Sequence, residues 1–402
     1  MASADAGKLY VFFGEDSTDA SGILQPAPQT ITVGGAIGVG YLEVRTSAAG
    51  ANLGLSSSSA GDFDADGIVD LVVGTARGDS AYLFLGDAAY PTGSPQTLDV
   101  STADIIFNKE TTGDFFGAAV ARAGDFNKDG YGDVMFGAFK SNNGGTERGQ
   151  AYIVFGRPIT SSLDVDISLF ANVVITTTTD RSWLGHSVGL VGDVNGDGFV
   201  DVGVGAPADK GNTDMDGFVY IFKGDSAYSV GTQQQFVTSD AHFIVDLNEN
   251  DNECGNAFAG IGDITGDGFD DFAVGARNHL VGANLGEGEV LLFSGKAATD
   301  TYNATDASLI ITGVADTDDF FGWCLSSGDV DGNGTVDLLI GVPFYDAGGT
   351  WRGGLMILKD TSITNATEIN YNNALLPVPD FVTISGLEDN GVFGTFGEGQ
   401  QD

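Results

Sequence analysis

The chain of 402 residues carries 56 acidic and 16 basic side chains, which gives a formal net charge of −40. A surface this acidic argues against nucleic acid and anionic membranes as partners and suits extracellular or salty surroundings. No stretch of the sequence is long and apolar enough to insert into a bilayer, and residues 1–14 lack the basic start and apolar core of a secretory signal.

The first element with chemical content is the acidic stretch GDFDADGIVDLVVG at residues 61–74, which places four aspartates in nine positions. Carboxylates about 4 Å apart repel by roughly 1 kcal/mol per pair even in water, and no Lys or Arg lies inside the motif. Oxygen ligands at alternate positions, with Gly67 allowing a sharp turn, suit a hard cation of calcium size. An EF-hand does not fit, because position 12 is Val73 and the flanks read as strands.

The acidic pattern occurs five times, with first aspartates 63, 68, 70 and 66 residues apart. Five copies in phase indicate an internal repeat. We predict about five Ca²⁺ sites, each bound by side chains at loop positions 1, 3, 5 and 9 and by the backbone carbonyl of position 7. The all-aspartate first loop should bind most tightly, and the neutral oxygens of Thr265 and Asn333 should weaken their sites. The predicted ligands are Asp62, Asp64, Asp66 and Asp70; Asp125, Asn127, Asp129 and Asp133; Asp193, Asn195, Asp197 and Asp201; Asp263, Thr265, Asp267 and Asp271; and Asp329, Asp331, Asn333 and Asp337.

Each repeat also contains four short β-rich runs separated by Gly, Asp and Asn turns, with no helical periodicity. An apolar-Gly step precedes each acidic loop by about eight residues, and a strand ending in a Gly-Ala-Pro variant follows it. A third and a fourth strand come next. A four-stranded unit repeated at this spacing predicts an all-β protein, a β-propeller of four-stranded blades.

The order of Phe-Gly step, acidic loop and Gly-Ala-Pro resembles the FG-GAP repeat of integrin alpha-subunit propellers and related surface proteins. The sequence departs from that pattern at Cys254, which replaces Phe, and only one unit, at Ala206-Pro207, has the complete tripeptide. The resemblance implies a calcium-stabilised recognition or adhesion module at the cell surface or outside the cell. It also implies a protein or glycan partner on the face opposite the calcium loops.

We expect one propeller domain over residues 1–402, with repeats starting near residues 53, 116, 184, 254 and 321. Residues 1–46 and 393–402 read as partial repeats. The two ends are expected either to form a sixth, hybrid blade or to mark a slice or processed form of a longer secreted protein, whose propeller could have seven blades.

No catalytic motif is found, so we predict that the chain is not an enzyme. The three histidines lie in different repeats without an HExxH arrangement, and the sequence has no nucleophile elbow, Walker loop or CxxC. His186, after the third apolar-Gly step, is expected to be a core or channel histidine. Cys254 and Cys324 are expected to be buried thiols, with a single bridge as the less favoured alternative.

The tetrapeptide RGDS at residues 77–80 resembles the cell-attachment tripeptide that integrins bind. Gly-Asp-Ser is also ordinary turn chemistry between two strands. We favour the turn interpretation.

Several connections between the fourth strand and the next first strand are acidic, which favours a partner that is cationic or bridged by a divalent ion. The alternative is that these acids only solvate the rim. Two rival functions stay open: an accessory propeller of a larger secreted hydrolase of phospholipase type, and a structural repeat of a surface filament. The acids concerned are Asp246, Glu249, Asp251 and Glu253; Asp316, Asp318 and Asp319; and Glu388 and Asp389.

Overall fold

The protein is all-β, apart from four helical turns of three or four residues among the described residues. The predicted pairing of the chain ends in a hybrid blade falls on residues outside the described part. The computed structural model describes residues 7–12, 41–48, 50–75, 77, 79–88, 96–109, 111–209, 216–248, 252–279, 286–313, 319–330, 332–345, 353–359, 368–370 and 381–385.

Five complete repeat units follow an N-terminal pair of strands, as the sequence predicts. The pair is β1 (Lys8–Phe12) and β2 (Tyr41–Arg45). Unit 1 contains β3 (Leu53–Gly61), β4 (Asp70–Thr75), β5 (Ser80–Phe84), β6 (Gln96–Asp99) and β7 (Ile105–Asn108). Unit 2 contains β8 (Phe116–Gly124), β9 (Asp133–Ala138), β10 (Gln150–Val154), β11 (Leu163–Asp166) and β12 (Val173–Thr176). Unit 3 contains β13 (Val188–Gly192), β14 (Asp201–Ala206), β15 (Phe218–Phe222), β16 (Gln234–Val237) and β17 (Phe243–Val245). Unit 4 contains β18 (Ala257–Gly262), β19 (Asp271–Ala276), β20 (Glu289–Phe293), β21 (Asp300–Tyr302) and β22 (Leu309–Thr312). Unit 5 contains β23 (Cys324–Gly328), β24 (Asp337–Val342), β25 (Gly354–Leu358), β26 (Glu368–Asn370) and β27 (Phe381–Ser385). The sheet that contains a unit's first strand is the blade of the same number.

The four predicted strands of each unit form an antiparallel ladder in chain order. In blade 1, β3 pairs with β4, β4 with β5, and β5 with β7. The same order holds in the other four blades. The prediction of four-stranded blades is therefore confirmed.

The N-terminal sheet and blades 1 to 4 each also receive a strand from the following unit, which the sequence analysis did not predict. The segment between a unit's third and fourth strands crosses to the preceding sheet and pairs in parallel with its fourth strand, as β11 of unit 2 does with β7 of unit 1. A helical turn such as Ile167–Phe170 then returns the chain, and the Asp166 carboxylate caps it by accepting the Ser168 N–H. We refer to these five as the added strands: β6, β11, β16, β21 and β26.

The hydrophobic core is a series of clusters, each between two consecutive sheets. Because side chains alternate along a strand, Val72 packs toward blade 2 while its neighbour Val73 packs toward the N-terminal sheet. Between blades 1 and 2, the rings of Phe107 and Phe136 lie 4.7 Å apart and are fully buried. Burying each such ring contributes about 2 kcal/mol, so the inter-blade clusters hold the sheets in series.

The glycines of the repeat motif allow neighbouring blades to touch. Gly137 in the second strand of blade 2 faces Gly185 of the next apolar-Gly step, and a Cβ on Gly137 would overlap the Gly185 carbonyl oxygen. Gly185 itself has a φ of 85°, a left-handed conformation that disfavours a side chain. The same pairs recur in the series: Gly74 with Gly117, Gly205 with Gly255, and Gly275 with Gly322.

The first strands of the five blades pack side by side in chain order and line a central cavity of about 470 Å³. His186 and Cys324 are among its lining residues. His186 is therefore a channel histidine, as predicted. Both cysteines are buried free thiols, so the expectation of two thiols is confirmed.

Candidate functional site

The five acidic loops connect the first and second strands of the five blades and therefore share one edge of the sheets. We call this edge the metal-loop face. Successive strands are antiparallel, so the connections between second and third strands and between fourth and first strands lie at the other edge, which we call the opposite face. The metal-loop face contains residues 62–69, 125–132, 193–200, 263–270, 329–330 and 332–336.

The carboxylate at position 1 accepts hydrogen bonds from backbone N–H groups of its own loop, so the loop folds around it. In loop 1, Asp62 accepts the N–H of Asp66 at 2.9 Å and the N–H of Gly67 at 2.9 Å on its two oxygens. The other four loops repeat both bonds from the same positions. The glycine at position 6 has a φ between 88° and 94° in all five loops, a conformation that residues with a side chain seldom adopt. The loop shape is therefore encoded by position 1 together with the glycine.

Position 5 shapes the same turn from the other side. Asp66 accepts the N–H of Ile68 at 2.8 Å, and Asp129 accepts the N–H of Tyr131 at 3.1 Å. These short-range bonds leave lone pairs on the carboxylate oxygens, since each oxygen can accept more than one partner. The loops are thus folded in a shape that can still offer oxygen ligands.

The position 9 aspartate has a structural role that the sequence analysis did not predict. Asp133 is fully buried; one oxygen accepts the Phe126 N–H at 2.8 Å and the other the Gly156 N–H at 2.9 Å. It therefore ties its loop to the end of the blade's third strand. Loops 1, 3 and 4 make the equivalent two bonds. In loop 5, Asp337 accepts the Val330 N–H, and its buried Oδ1 makes no hydrogen bond within the described residues.

Burial disfavours the charged form of these position 9 carboxylates. It raises the pKa of Asp133 and of Asp201 to about 8, and that of Asp70 and of Asp271 to about 6, against the opposing effect of the backbone donors. A cation beside the carboxylates would favour their ionised form.

Loop 1 brings three predicted ligands together. One carboxylate oxygen from each of Asp62, Asp64 and Asp70 lies within 4.8 Å of the others. Burial and the neighbouring Asp66 raise the pKa of Asp64. Three converging carboxylates with no basic side chain are a donor set suited to a hard divalent cation. Asp331, predicted as a ligand in loop 5, lies outside the described residues.

Backbone bonds connect neighbouring loops across the blade boundaries. The carbonyl of Phe63 in loop 1 accepts the N–H of Arg157, which follows the third strand of blade 2, at 2.8 Å. The equivalent bonds run from Asp225 to Phe126 and from Lys296 to Val194. Between loops 3 and 4, the Asp270 side chain accepts the Asp193 N–H at 2.7 Å. The metal-loop face is therefore one continuous hydrogen-bonded network over these blades.

On the opposite face, the described residues of the RGDS stretch, Arg77, Asp79 and Ser80, follow the second strand of blade 1, and the acid among them is buried. Asp79 has a φ of 47° and accepts the Gly113 N–H at 2.7 Å and the Phe116 N–H at 3.3 Å. Arg77 is exposed. Because the Asp79 carboxylate holds the connection that enters blade 2, the structure agrees with the turn interpretation.

A residue in a left-handed conformation precedes every apolar-Gly step, with φ between 51° and 57° at Asn52, Phe115, Trp183, Glu253 and Phe320. This conformation is rare for aromatic residues and was not predicted. The sequence signal that could have revealed it is the fixed position immediately before the apolar-Gly step.

The left-handed aromatic residues belong to two half-buried ring clusters. Around Lys140, the Nζ lies 5.2 Å from the Phe115 ring, 5.9 Å from Phe139 and 5.7 Å from Trp183. In the second cluster, Phe320, Trp323 and Phe344 pack edge to face, with the Arg277 guanidinium 4.1 Å from the Trp323 ring.

Three of the acids predicted to form the rim of the opposite face can be placed. Glu253 forms an ion pair with Arg277 at 2.6 Å, and Asp319 is buried. Asp246 is half-buried at the start of its connection. The acids Glu249, Asp251, Asp316, Asp318, Glu388 and Asp389 lie outside the described residues.

Comparison with known proteins confirms the resemblance inferred from the repeat. The sequence model of the FG-GAP repeat matches residues 321–355. The chain is 32% identical over 231 residues to integrin alpha pat-2 of Caenorhabditis elegans, an alignment that covers 55% of this chain and 17% of that protein. It is 28% identical over 256 residues to integrin alpha-5 of Xenopus laevis, covering 62% of this chain and 22% of that protein. It is 39% identical over 97 residues to integrin alpha-M of Mus musculus, covering 24% of this chain and 8% of that protein.

The alignments thus span only 17% and 22% of the length of the first two relatives. Within the described part of the chain, no helix has the length and hydrophobicity needed to cross a membrane.

Proposed function

We propose that this integrin alpha-like chain is a calcium-stabilised extracellular recognition module that adheres to a protein partner through the opposite face. Its role is binding and not catalysis. The observation that carries the proposal is the division of the molecule into one face of repeated acidic loops and another of varied, aromatic-rich connections.

The calcium half of the proposal is supported by the donor chemistry of the loops. The 20 predicted ligands offer only oxygen, and three carboxylates converge in loop 1. The buried carboxylates at position 9 are destabilised as anions, as their raised pKa values indicate. Calcium would hold the loops through these oxygens and offset their mutual repulsion.

The recognition half is supported by the ring clusters of the opposite face. Aromatic and arginine side chains are enriched at the centres of protein interfaces. Here Phe115, Trp183 and Phe320 are half-buried, so each residue is partly exposed on this face. The resemblance to integrin alpha propellers implies binding on the same face.

Calorimetric melting in EDTA and in millimolar calcium tests the first half. Each site held at tenfold excess over its dissociation constant adds about 1.4 kcal/mol to the free energy of unfolding, so the melting temperature should rise in calcium. Titration calorimetry should count about five sites by the oxygen-ligand rules. The double variant Asp62→Asn/Asp64→Asn should lose one of them. Equal melting temperatures in both buffers would contradict the calcium proposal.

Adhesion of cells to surfaces coated with the protein tests the second half. In calcium, Trp183→Ala should reduce the adherent fraction, because truncating an interface aromatic commonly costs more than 1 kcal/mol. Val69→Ser is the matched control, since Val69 is 65% exposed but lies on the metal-loop face. If Val69→Ser loses adhesion while Trp183→Ala adheres as well as the wild type, the partner binds the metal-loop face and the proposed binding face is wrong.

A further inference from the structure

A polar cleft in blade 2 carries chemistry that neither the calcium loops nor the aromatic clusters use. Its volume is about 370 Å³, and it begins among the connections of the opposite face and continues along the outer strands β12 and β16. Apart from Val174 and the ion pair of Lys109 with Asp114, its lining consists of neutral hydroxyl and amide side chains. A cleft of this volume, with convergent polar groups, is in the range of small-molecule sites.

Lys109 fixes one wall of the cleft. Its side chain is 8% exposed, and its Nζ contacts Asp114 at 3.2 Å, Ser141 at 3.1 Å, Gln150 at 2.8 Å and Tyr152 at 2.6 Å. The three ammonium protons are thereby engaged. Lys109 is a positioning group for this wall and has no proton left for an anionic ligand.

The Lys109 contact also orients the Gln150 amide. An ammonium can only donate, so the amide oxygen must face it, and that same oxygen accepts from Ser141 at 2.7 Å and from Tyr152 at 2.9 Å. The amide nitrogen therefore points to the other side, where it makes no hydrogen bond within the described residues. Gln150 presents a fixed donor.

The far wall is formed by two glutamines with a defined orientation. Gln233 donates to the carbonyls of Ser168 at 2.9 Å and Ala171 at 3.0 Å, so its oxygen faces the Gln235 amide nitrogen at 2.8 Å. This chain of donors leaves the Gln235 oxygen as an acceptor with no partner in the described part of the chain. At the end of the cleft that lies among the connections of the opposite face, the Asn142 side-chain oxygen accepts the Glu147 N–H at 3.1 Å, which keeps the amide protons of Asn142 available.

We propose that this cleft binds a small neutral polyhydroxyl ligand, a mono- or disaccharide. Hydroxyl groups both donate and accept, which matches fixed donors at Gln150 and Asn142 and a fixed acceptor at Gln235. The net charge of −40 disfavours anions, and the ion pair of Lys109 with Asp114 leaves the lining without a net charge to attract a charged ligand. Because the amides are held in place before binding, little ordering is lost when a ligand enters. This site goes beyond the proposed adhesion role and does not depend on it.

Saturation-transfer NMR and thermal shift with maltose, cellobiose and lactose test the proposal. At least one of these sugars should receive saturation from the wild-type protein and raise its melting temperature. Gln150→Glu keeps an oxygen against Lys109 but removes the free donor, and it should weaken binding about tenfold or more. Gln235→Leu should weaken binding without touching the Lys109 network. Gln96→Leu is the matched control, because Gln96 is an exposed glutamine on the added strand of the N-terminal sheet.

A separate experiment tests the charge argument. It compares glucose with its charged analogues glucosamine and glucuronate, and both charged sugars should bind more weakly than glucose. The proposal is overturned if none of the three disaccharides binds the wild-type protein, if Gln150→Glu, with a normal melting curve, binds as well as the wild type, or if a charged sugar binds best.

Discussion

The two faces of the molecule are built on the same strands by opposite means. The metal-loop face repeats one set of hydrogen bonds five times, with the position 1 carboxylate and the position 6 glycine in equivalent places. On the opposite face each unit differs: Asp79 holds one connection, Lys109 another and the Glu253–Arg277 pair a third.

The difference shows which face the repeat motif specifies. A motif that forms its own turn gives the same shape in every blade and cannot distinguish one blade from another. Connections that are stabilised by individual side chains can vary without altering the scaffold, which is what a recognition surface requires. Buried carboxylates nevertheless hold both faces, and variants of those carboxylates can separate structural from ligand roles.

The largest effect is expected at position 9 of the metal-loop face. In EDTA, Asp133→Ala should lower the free energy of unfolding by about 3 kcal/mol, because the buried N–H groups of Phe126 and Gly156 both lose their acceptor. Asp129→Ala in the same loop is exposed and should cost less than 1 kcal/mol in EDTA. Urea unfolding measures both. If the two variants lower the free energy of unfolding equally in EDTA, the structural role assigned to position 9 is wrong.

A smaller effect is expected from the buried acid of the opposite face. Asp79→Ala should lower the free energy of unfolding by about 2 kcal/mol, since the Gly113 and Phe116 N–H groups lose their acceptor. Arg77→Ala, in the exposed half of the same motif, should leave stability within about 0.5 kcal/mol of the wild type. An RGD peptide should not compete with cell adhesion to the protein; competition that Arg77→Ala abolishes would refute the turn interpretation.

The smallest effect is a pH dependence at His186. Burial, with a further contribution from Arg277, lowers the pKa of His186 to about 4. A histidine with a depressed pKa in the folded state contributes stability above its unfolded pKa of about 6.5, and that stability is lost as the pH falls toward 4. His186→Phe should keep the ring contacts with Phe139 and Trp183 and remove about 1 kcal/mol of this pH dependence, allowing for solvent at the channel. Urea midpoints between pH 7 and pH 4 measure it, and parallel curves for both proteins would contradict the assignment.

The blades and their acidic loops could be predicted because each signal is local. Alternating apolar runs between glycines define the four antiparallel strands, and the spacing of the aspartates defines the loops. The added strands could not be predicted in this way, because LDVD at 163–166 is short, partly exposed and polar, and its parallel partner belongs to another unit. The sequence carries only a weak signal for an added strand: a short polar run that ends in a helix-capping acid such as Asp166.

The candidate site was predicted in part for a related reason. An aspartate in an acidic motif reads as a ligand, whereas its bonds to a distant strand, such as Asp133 to Gly156, depend on the fold. The Gln150 donor depends on Lys109, which belongs to the preceding connection, 41 residues away. Neither role can be inferred from the sequence close to the residue concerned.

The added strands also set an order for folding during synthesis. When the ribosome has released β7, blade 1 still lacks its fifth strand, which arrives only after the first three strands of the next unit have emerged. The edge of each newly made blade is therefore open for most of one repeat, a period in which an unpaired strand edge can pair with the wrong partner. Chain growth should close the blades one after another from the N-terminal end, each by the arrival of its successor.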